Sequence, residues 1–188
     1  MTKGLKCLTL IFSIVISFES VIFNNKVKAS GNVPIQEMIV MAQKKIYMYS
    51  SKNFAKDNRT VLYPKRNRAE NPEFKVIGYY RDNNHNLRYK VKDINKNVNT
   101  YNYVGFITAD ANYVVPAYYS GLNRLRTLKV IFSKIYSYKH KDLTSKIKKY
   151  KKGDTLKVQA VVTHGLATSF ELTNGYYITG NKTSVVWK

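Results

Sequence analysis

Leu87-Arg88-Tyr89-Lys90-Val91-Lys92 alternates apolar and basic residues without a break. A period of two marks a strand with one face buried and the other wet. Leu156, Val158 and Ala160 alternate with Lys157 and Gln159 in the same manner. Turn residues stand between such runs, at Asp82-Asn83-Asn84, Lys152-Gly153-Asp154 and Asn174-Gly175. Asn-Gly between apolar strands is a strong tight-hairpin signal, because both residues tolerate positive φ. The chain reads as all-β. Residues 34–43 fit either a short helix or an entry strand.

The strand blocks recur in a fixed order. Lys45-Ile46-Tyr47-Met48-Tyr49 is answered by Lys134-Ile135-Tyr136-Ser137-Tyr138, 89 residues on. Phe74-Lys75-Val76 is answered by Leu156-Lys157-Val158 at 82, and Leu87-Arg88-Tyr89-Lys90-Val91 by Thr168-Ser169-Phe170-Glu171-Leu172. Ile107-Thr108 and Val114-Val115 are answered by Ile178-Thr179 and Val185-Val186, both at 71. The shrinking offset places insertions in the first copy at about residues 64–73 and 93–104, both rich in Asn, Lys and Arg. The predicted organisation is a lead segment over 30–43, repeat 1 over 44–119, a linker over 120–127 and repeat 2 over 128–188. Short strands at this spacing predict two small SH3-like barrels or sandwiches in tandem.

The N-terminus predicts an export signal over residues 1–29. Lys3 and Lys6 form a basic head, Cys7 to Phe18 an apolar or small-residue run, and Val27-Lys28-Ala29 a cleavage site. The run is short for a spanning helix, and Glu19 interrupts it. The lone cysteine, Cys7, precedes the run, so it does not fit a lipoprotein signal and leaves the mature chain without a disulfide or thiolate site. No wall-sorting motif closes the chain at Val186-Trp187-Lys188, so retention at a surface is expected to be non-covalent.

Thirty-two Lys and Arg face eleven Asp and Glu, a formal charge of +21. Loss of Lys3, Lys6, Lys26, Lys28 and Glu19 with the signal lowers this only to +18. Such a field selects polyanionic partners. The expected anion-binding residues are Lys65, Arg66 and Arg68 after Tyr63, Arg88 and Lys90 on the alternating strand, and Lys146, Lys148, Lys149, Lys151 and Lys152 around Tyr150. Sixteen tyrosines accompany them. Tyr47, Tyr49, Tyr136 and Tyr138 share faces opposite Ile46 and Ile135, where one of each pair is expected in the core and the other is free to stack on a sugar ring. Trp187 reads equally as a plug at the end of the last strand or as an exposed platform.

The ordered blocks resemble the bacterial SH3-like and surface-layer attachment repeats. They are more similar to a repeat domain of undetermined function found in tandem at the C-termini of lactobacillal surface proteins. The likeness rests on Leu87-Arg88-Tyr89-Lys90-Val91, Phe106-Ile107-Thr108-Ala109 and Tyr113-Val114-Val115-Pro116 in the first copy. In the second it rests on Tyr150-Lys151-Lys152-Gly153, His164-Gly165-Leu166-Ala167-Thr168, Asn174-Gly175-Tyr176-Tyr177-Ile178-Thr179 and Asn181-Lys182. It implies a cell-surface location and transfers no catalytic residue.

Catalytic patterns are missing. His85, His140 and His164 have no Cys or His partner at metal-ligand spacing, and no Gly-x-Ser-x-Gly elbow is present. Glu70, Glu73, Asp82, Asp93, Asp110 and Glu171 are not paired by any motif for glycan hydrolysis. The sequence therefore predicts no enzyme, no cofactor and no metal site. It predicts a secreted protein that binds an anionic wall polymer, teichoic acid or acidic glycan. Alternatives are an adhesin for host mucin or matrix glycan and a secreted cationic antimicrobial-like effector. Nucleic acid is not an expected partner of an exported chain, and membrane contact is expected only during export.

Overall fold

The computed structural model describes residues 36–96, 98–122 and 125–188. The expected signal peptide at 1–29 lies outside the described residues, as do 30–35 of the expected lead segment and 123–124 of the expected linker.

Among the described residues fourteen strands form two sheets. The first holds β1 (Met38–Ala42), β2 (Ile46–Tyr49), β3 (Arg59–Tyr63), β4 (Glu73–Arg81), β5 (Leu87–Asp93), β6 (Val104–Thr108) and β7 (Val114–Pro116). The second holds β8 (Arg126–Val130), β9 (Lys134–Tyr138), β10 (Lys146–Lys151), β11 (Thr155–His164), β12 (Ala167–Leu172), β13 (Tyr177–Thr179) and β14 (Val185–Trp187). The first runs β3-β2-β6-β5-β4-β1-β7 and the second β10-β9-β13-β12-β11-β8-β14, all antiparallel. Adding seven to each label of the first order gives the second. Among the described residues the only helical elements are two three-residue 3₁₀ turns, and no helix is long and apolar enough to cross a membrane.

The segment that fits helix or strand is the strand β1. It pairs with β4 and β7, and β8 takes the matching place in the second sheet. Strand structure thus begins inside the expected lead segment, and β8 inside the expected linker.

Register agrees residue by residue. Val40 faces Phe74 and Pro116, and Leu128 faces Leu156 and Trp187. Tyr89 faces Ile107 as Phe170 faces Ile178. The irregularities match too. One extra residue, Ile77, bulges from β4 and Gln159 from β11. Thr60 bulges from β3 and Ile147 from β10. A bulge adds twist and bends its strand.

Each sheet has its own core, and each of its seven strands contributes to it. In the first, Val40, Ile46, Tyr63, Phe74, Val76, Val91, Ile107 and Val114 are buried together. Their counterparts Leu128, Ile135, Tyr150, Leu156, Val158, Leu172, Ile178 and Val185 are buried in the second. No second layer covers either core among the described residues, so each sheet rolls over its own apolar face. Ser137 stands where the first copy has Met48. It is fully buried, and its hydroxyl has no hydrogen-bond partner among the described residues.

The copies meet at a polar joint. A bridge pairs Tyr118 with Asn181, and the Tyr119 N–H donates to the Gly180 carbonyl (3.1 Å). Asn181 Nδ2 and the Thr183 hydroxyl both donate to Glu73 Oε1, at 2.8 and 3.2 Å. Burial raises the Glu73 carboxyl above its ordinary range, opposed by these two donors. Lys182 Nζ donates to the Pro116 carbonyl at 2.9 Å. Burial, then the neighbouring Arg68 charge, lowers the Lys182 ammonium.

Candidate functional site

Residues directly opposite in an antiparallel pair share a face of the sheet. Ile135 and Tyr150, which are opposite, point into the second core. Tyr136 and Lys149 are opposite, as are Lys134 and Lys151, Tyr138 and Lys146, and Tyr138 and Tyr177. These residues form the outer face of β10, β9 and β13, in which ammonium groups and tyrosine rings interleave. On this face Lys146 Nζ lies 4.7 Å from the centre of the Tyr136 ring, whereas Lys148, opposite the buried Ser137, belongs to the other side of β10, with Nζ 5.4 Å from the ring centre of Tyr150. A cation held over a ring is attracted by its π face and steered to a fixed place.

β10 is an edge strand, and Lys146, Lys148, Lys149 and Lys151 are all exposed on it. Lys152 follows in the turn to β11, where Gly153 adopts φ +101° and the Asp154 carboxylate accepts the Lys151 N–H. Among the described residues two ion pairs form, Lys75 with Glu37 and Arg88 with Asp82, and neither involves these lysines. From residue 118 onward the sequence carries fourteen Lys and Arg against three acidic residues. The charge at this edge therefore remains available to an external anion.

The first copy has the same frame with different occupants. Tyr47, Tyr49 and Phe106 take the places of Tyr136, Tyr138 and Tyr177, and Arg59 takes that of Lys146. The Arg59 guanidinium lies 4.2 Å from the Tyr47 ring centre, repeating the Lys146–Tyr136 pair. However, Leu62 and Pro64 stand where the second copy has Lys149 and Lys151. Phe54, from the loop between β2 and β3, stacks flat on Tyr49 (3.9 Å between centres, 5° between planes). Arg88 covers the far side of Phe54 at 3.9 Å. Tyr49 is therefore buried outside the core proper, at 7% exposure. A groove of about 240 Å³ remains beside this stack, lined by Lys45, Tyr47, Tyr113 and Thr108 among others.

Several residues expected to bind anions are already engaged. Arg88 is bonded to Asp82 at 2.6 Å, with both side chains largely buried. Burial pushes the Asp82 carboxyl up, but hydrogen bonds from Asn86 and Arg88 outweigh it and hold the group at about 2. Arg68 sits in the joint, where Nε donates to the Lys182 carbonyl (2.8 Å) and Nη2 to the Tyr119 hydroxyl (3.0 Å). Lys90 is half-buried, with its ammonium 5.9 Å from the Phe106 ring centre. Lys65 and Arg66 are exposed in the first insertion. Trp187 packs on Phe170 and Tyr119, with Arg126 over its ring, and so lies against the second core rather than standing as an open platform. The fold does not bring the ten basic residues into one site. It gathers Lys146, Lys149 and Lys151 on the outer face of β10, with Lys148 on the other side of that edge strand and Lys152 in the adjoining turn, and disperses the remaining five.

Phe54, Arg59, Lys134 and Tyr177 belong to these faces and were not singled out by sequence. Matching Tyr63 to Tyr150 would have located Arg59, since Lys146 precedes Tyr150 by the same four residues. No group of three His, Cys, Asp or Glu suited to a metal ion occurs among the described residues.

Residues 118–185 match the family model described as Domain of unknown function (DUF5776). No curated protein matches the chain. The matched span runs from the joint to β14 and contains the whole lysine–tyrosine face.

Proposed function

We propose that this chain is a non-enzymatic secreted or cell-surface protein that holds an anionic cell-wall polymer, teichoic acid or an acidic glycan, and is retained at the wall without a covalent bond. The outer face of β9 and β10 carries the reading. Lys149 and Lys151 stand on one side of one strand, roughly 7 Å apart at two residues' rise. Lys134 and Lys146 lie on the same face. Charges this close act together, because the screening length at physiological salt is about 8 Å. An extended polyanion laid along the edge releases counterions at each ammonium it meets, and that release favours binding. The tyrosines between them offer flat apolar surface to the polymer's uncharged parts. The likeness to lactobacillal surface repeats and to SH3-like attachment modules supports the same reading.

The test is pelleting with teichoic-acid-bearing walls across a salt series. Wild-type affinity is expected to fall linearly on a log–log plot against salt. Replacing Lys146, Lys148, Lys149 and Lys151 by Gln should make the slope shallower, by up to about 0.7 for each phosphate that no longer meets an ammonium, the value for single-stranded polyanions. Pelleting that survives removal of teichoic acid and acidic glycan, or that ignores salt, would overturn the proposal.

A further inference from the structure

The two copies provide an internal comparison, since each position of one face has a counterpart on the other. Tyr49 in the first copy is covered by a flat ring, Phe54, and that ring by a cation, Arg88. The second copy keeps the tyrosine and has neither cover among the described residues. Its loop of residues 139–145 contains no Phe, Tyr or Trp. The counterpart of Arg88 is Ser169, whose hydroxyl is turned to the Lys141 carbonyl at 2.8 Å. Tyr138 is partly exposed, and although Tyr177 stands opposite it in register, no ring is stacked on it among the described residues. Lysines, rather than Leu62 and Pro64, flank the second face.

We infer that Tyr138 is a seat for a single ring of the bound polymer, the seat that Phe54 fills internally in the first copy, and that its ligand is a polyanion bearing sugar rings rather than a bare phosphate chain. This rests on the reading of the lysine–tyrosine face as the polymer-binding surface. The chemistry follows from what surrounds the tyrosine. A pyranose presents an apolar C–H face that lies flat on a phenol ring, and the phosphates or carboxylates beside it meet Lys146 and Lys149. Tyr136 is already committed to the Lys146 ammonium, and Tyr138, with Tyr177 opposite it, carries no stacked ring or cation among the described residues. The first copy is then self-occupied, and the chain carries one ring-selective site instead of two.

Three polymers discriminate: a sugar-substituted polyol phosphate, the same chain stripped of its sugars, and a single-stranded oligonucleotide. The full chain should bind the substituted polymer roughly three- to tenfold more tightly than the stripped one, as one stacking interaction allows. Tyr138→Ala should abolish that difference, bringing the substituted polymer's affinity down to that of the stripped one. Phe54→Ala should uncover Tyr49 and raise the stoichiometry for the substituted polymer from one toward two. Thermal melts of both variants identify any that fail to fold, and either variant suffices alone. Equal affinity for the two polymers in the wild type, or an unaffected preference in Tyr138→Ala, would overturn the inference and leave the wall-binding reading standing. Preference for the oligonucleotide would also overturn it, whereas failure to bind either wall polymer would sink the parent reading instead.

Discussion

Arg68 separates a structural from a binding role in one residue. Its guanidinium spans the joint, donating to the Lys182 carbonyl at 2.8 Å and the Tyr119 hydroxyl at 3.0 Å. A charged donor's hydrogen bond contributes about 1.5–3 kcal/mol when well shielded, and a typical one about 0.5–1.5. Arg68 is exposed, so the lower range applies, and Arg68→Ala should cost about 1–2 kcal/mol in all. For a protein of this size that lowers Tm by about 2–8 °C. Tyr119→Phe keeps the ring, which packs on Phe170 and Trp187, and removes only the hydroxyl. A double-mutant cycle of the two changes, read by urea unfolding, isolates the 3.0 Å bond and should return a coupling of about 0.5–1 kcal/mol. Arg68→Ala should leave wall pelleting and its salt slope where they are in the wild type. A coupling indistinguishable from zero would refute the joint assignment. A drop in pelleting comparable to that of the β10 lysines would restore Arg68 to the binding surface.

Asp82 gives an acid-side signature. Its folded carboxyl is held at about 2 against an ordinary 3.8, so its contribution is complete above 3.8 and disappears as the pH falls toward 2. Melting across that window should show the loss, and Asp82→Asn should remove that part of the pH dependence. Glu73 has the opposite sign. Burial raises its folded value above the ordinary 4.5, so the folded chain binds the proton more tightly than the unfolded one, and its contribution to stability grows as pH falls through the raised value toward 4.5. Glu73→Gln should abolish that rise in Tm. Gly105 admits no side chain. A Cβ there would lie 2.5 Å from Met48 Cγ and 2.8 Å from the Tyr49 carbonyl oxygen. Gly105→Ala should therefore cost about 1–3 kcal/mol by overpacking, measured by chemical denaturation.

The repeat was legible because its buried strands must alternate. Leu87 to Lys92 and Leu156 to Ala160 show the period in full, and the matched blocks fall on equivalent strands of the two sheets. Edge strands carry a weaker pattern. Ile-Lys-Lys-Tyr-Lys on β10 buries only Tyr150, and the bulge at Ile147 breaks what alternation there is, so a strand reads as a basic loop. The residue types of the proposed face were legible and their placement was not. Nothing local shows that Arg88 is neutralised by Asp82, six residues before it, or that Arg68 reaches a carbonyl 114 positions away. Tyr49 was expected to be either core or free. It is neither, because Phe54 folds onto it from a loop without periodic pattern.

Ile77 and Gln159, like Thr60 and Ile147, are single residues by which a strand overruns its partner, and they occur at matching steps of both sheets. A slip of this kind would turn every later side chain of the strand inside out, so it is not readily gained twice at the same step. The two sheets share one kinked frame and differ in what covers it: a phenylalanine and a salt bridge on one copy, tyrosine and lysine on the other. Because the frame is common, each strand position of one copy has a counterpart in the other against which a substitution is compared.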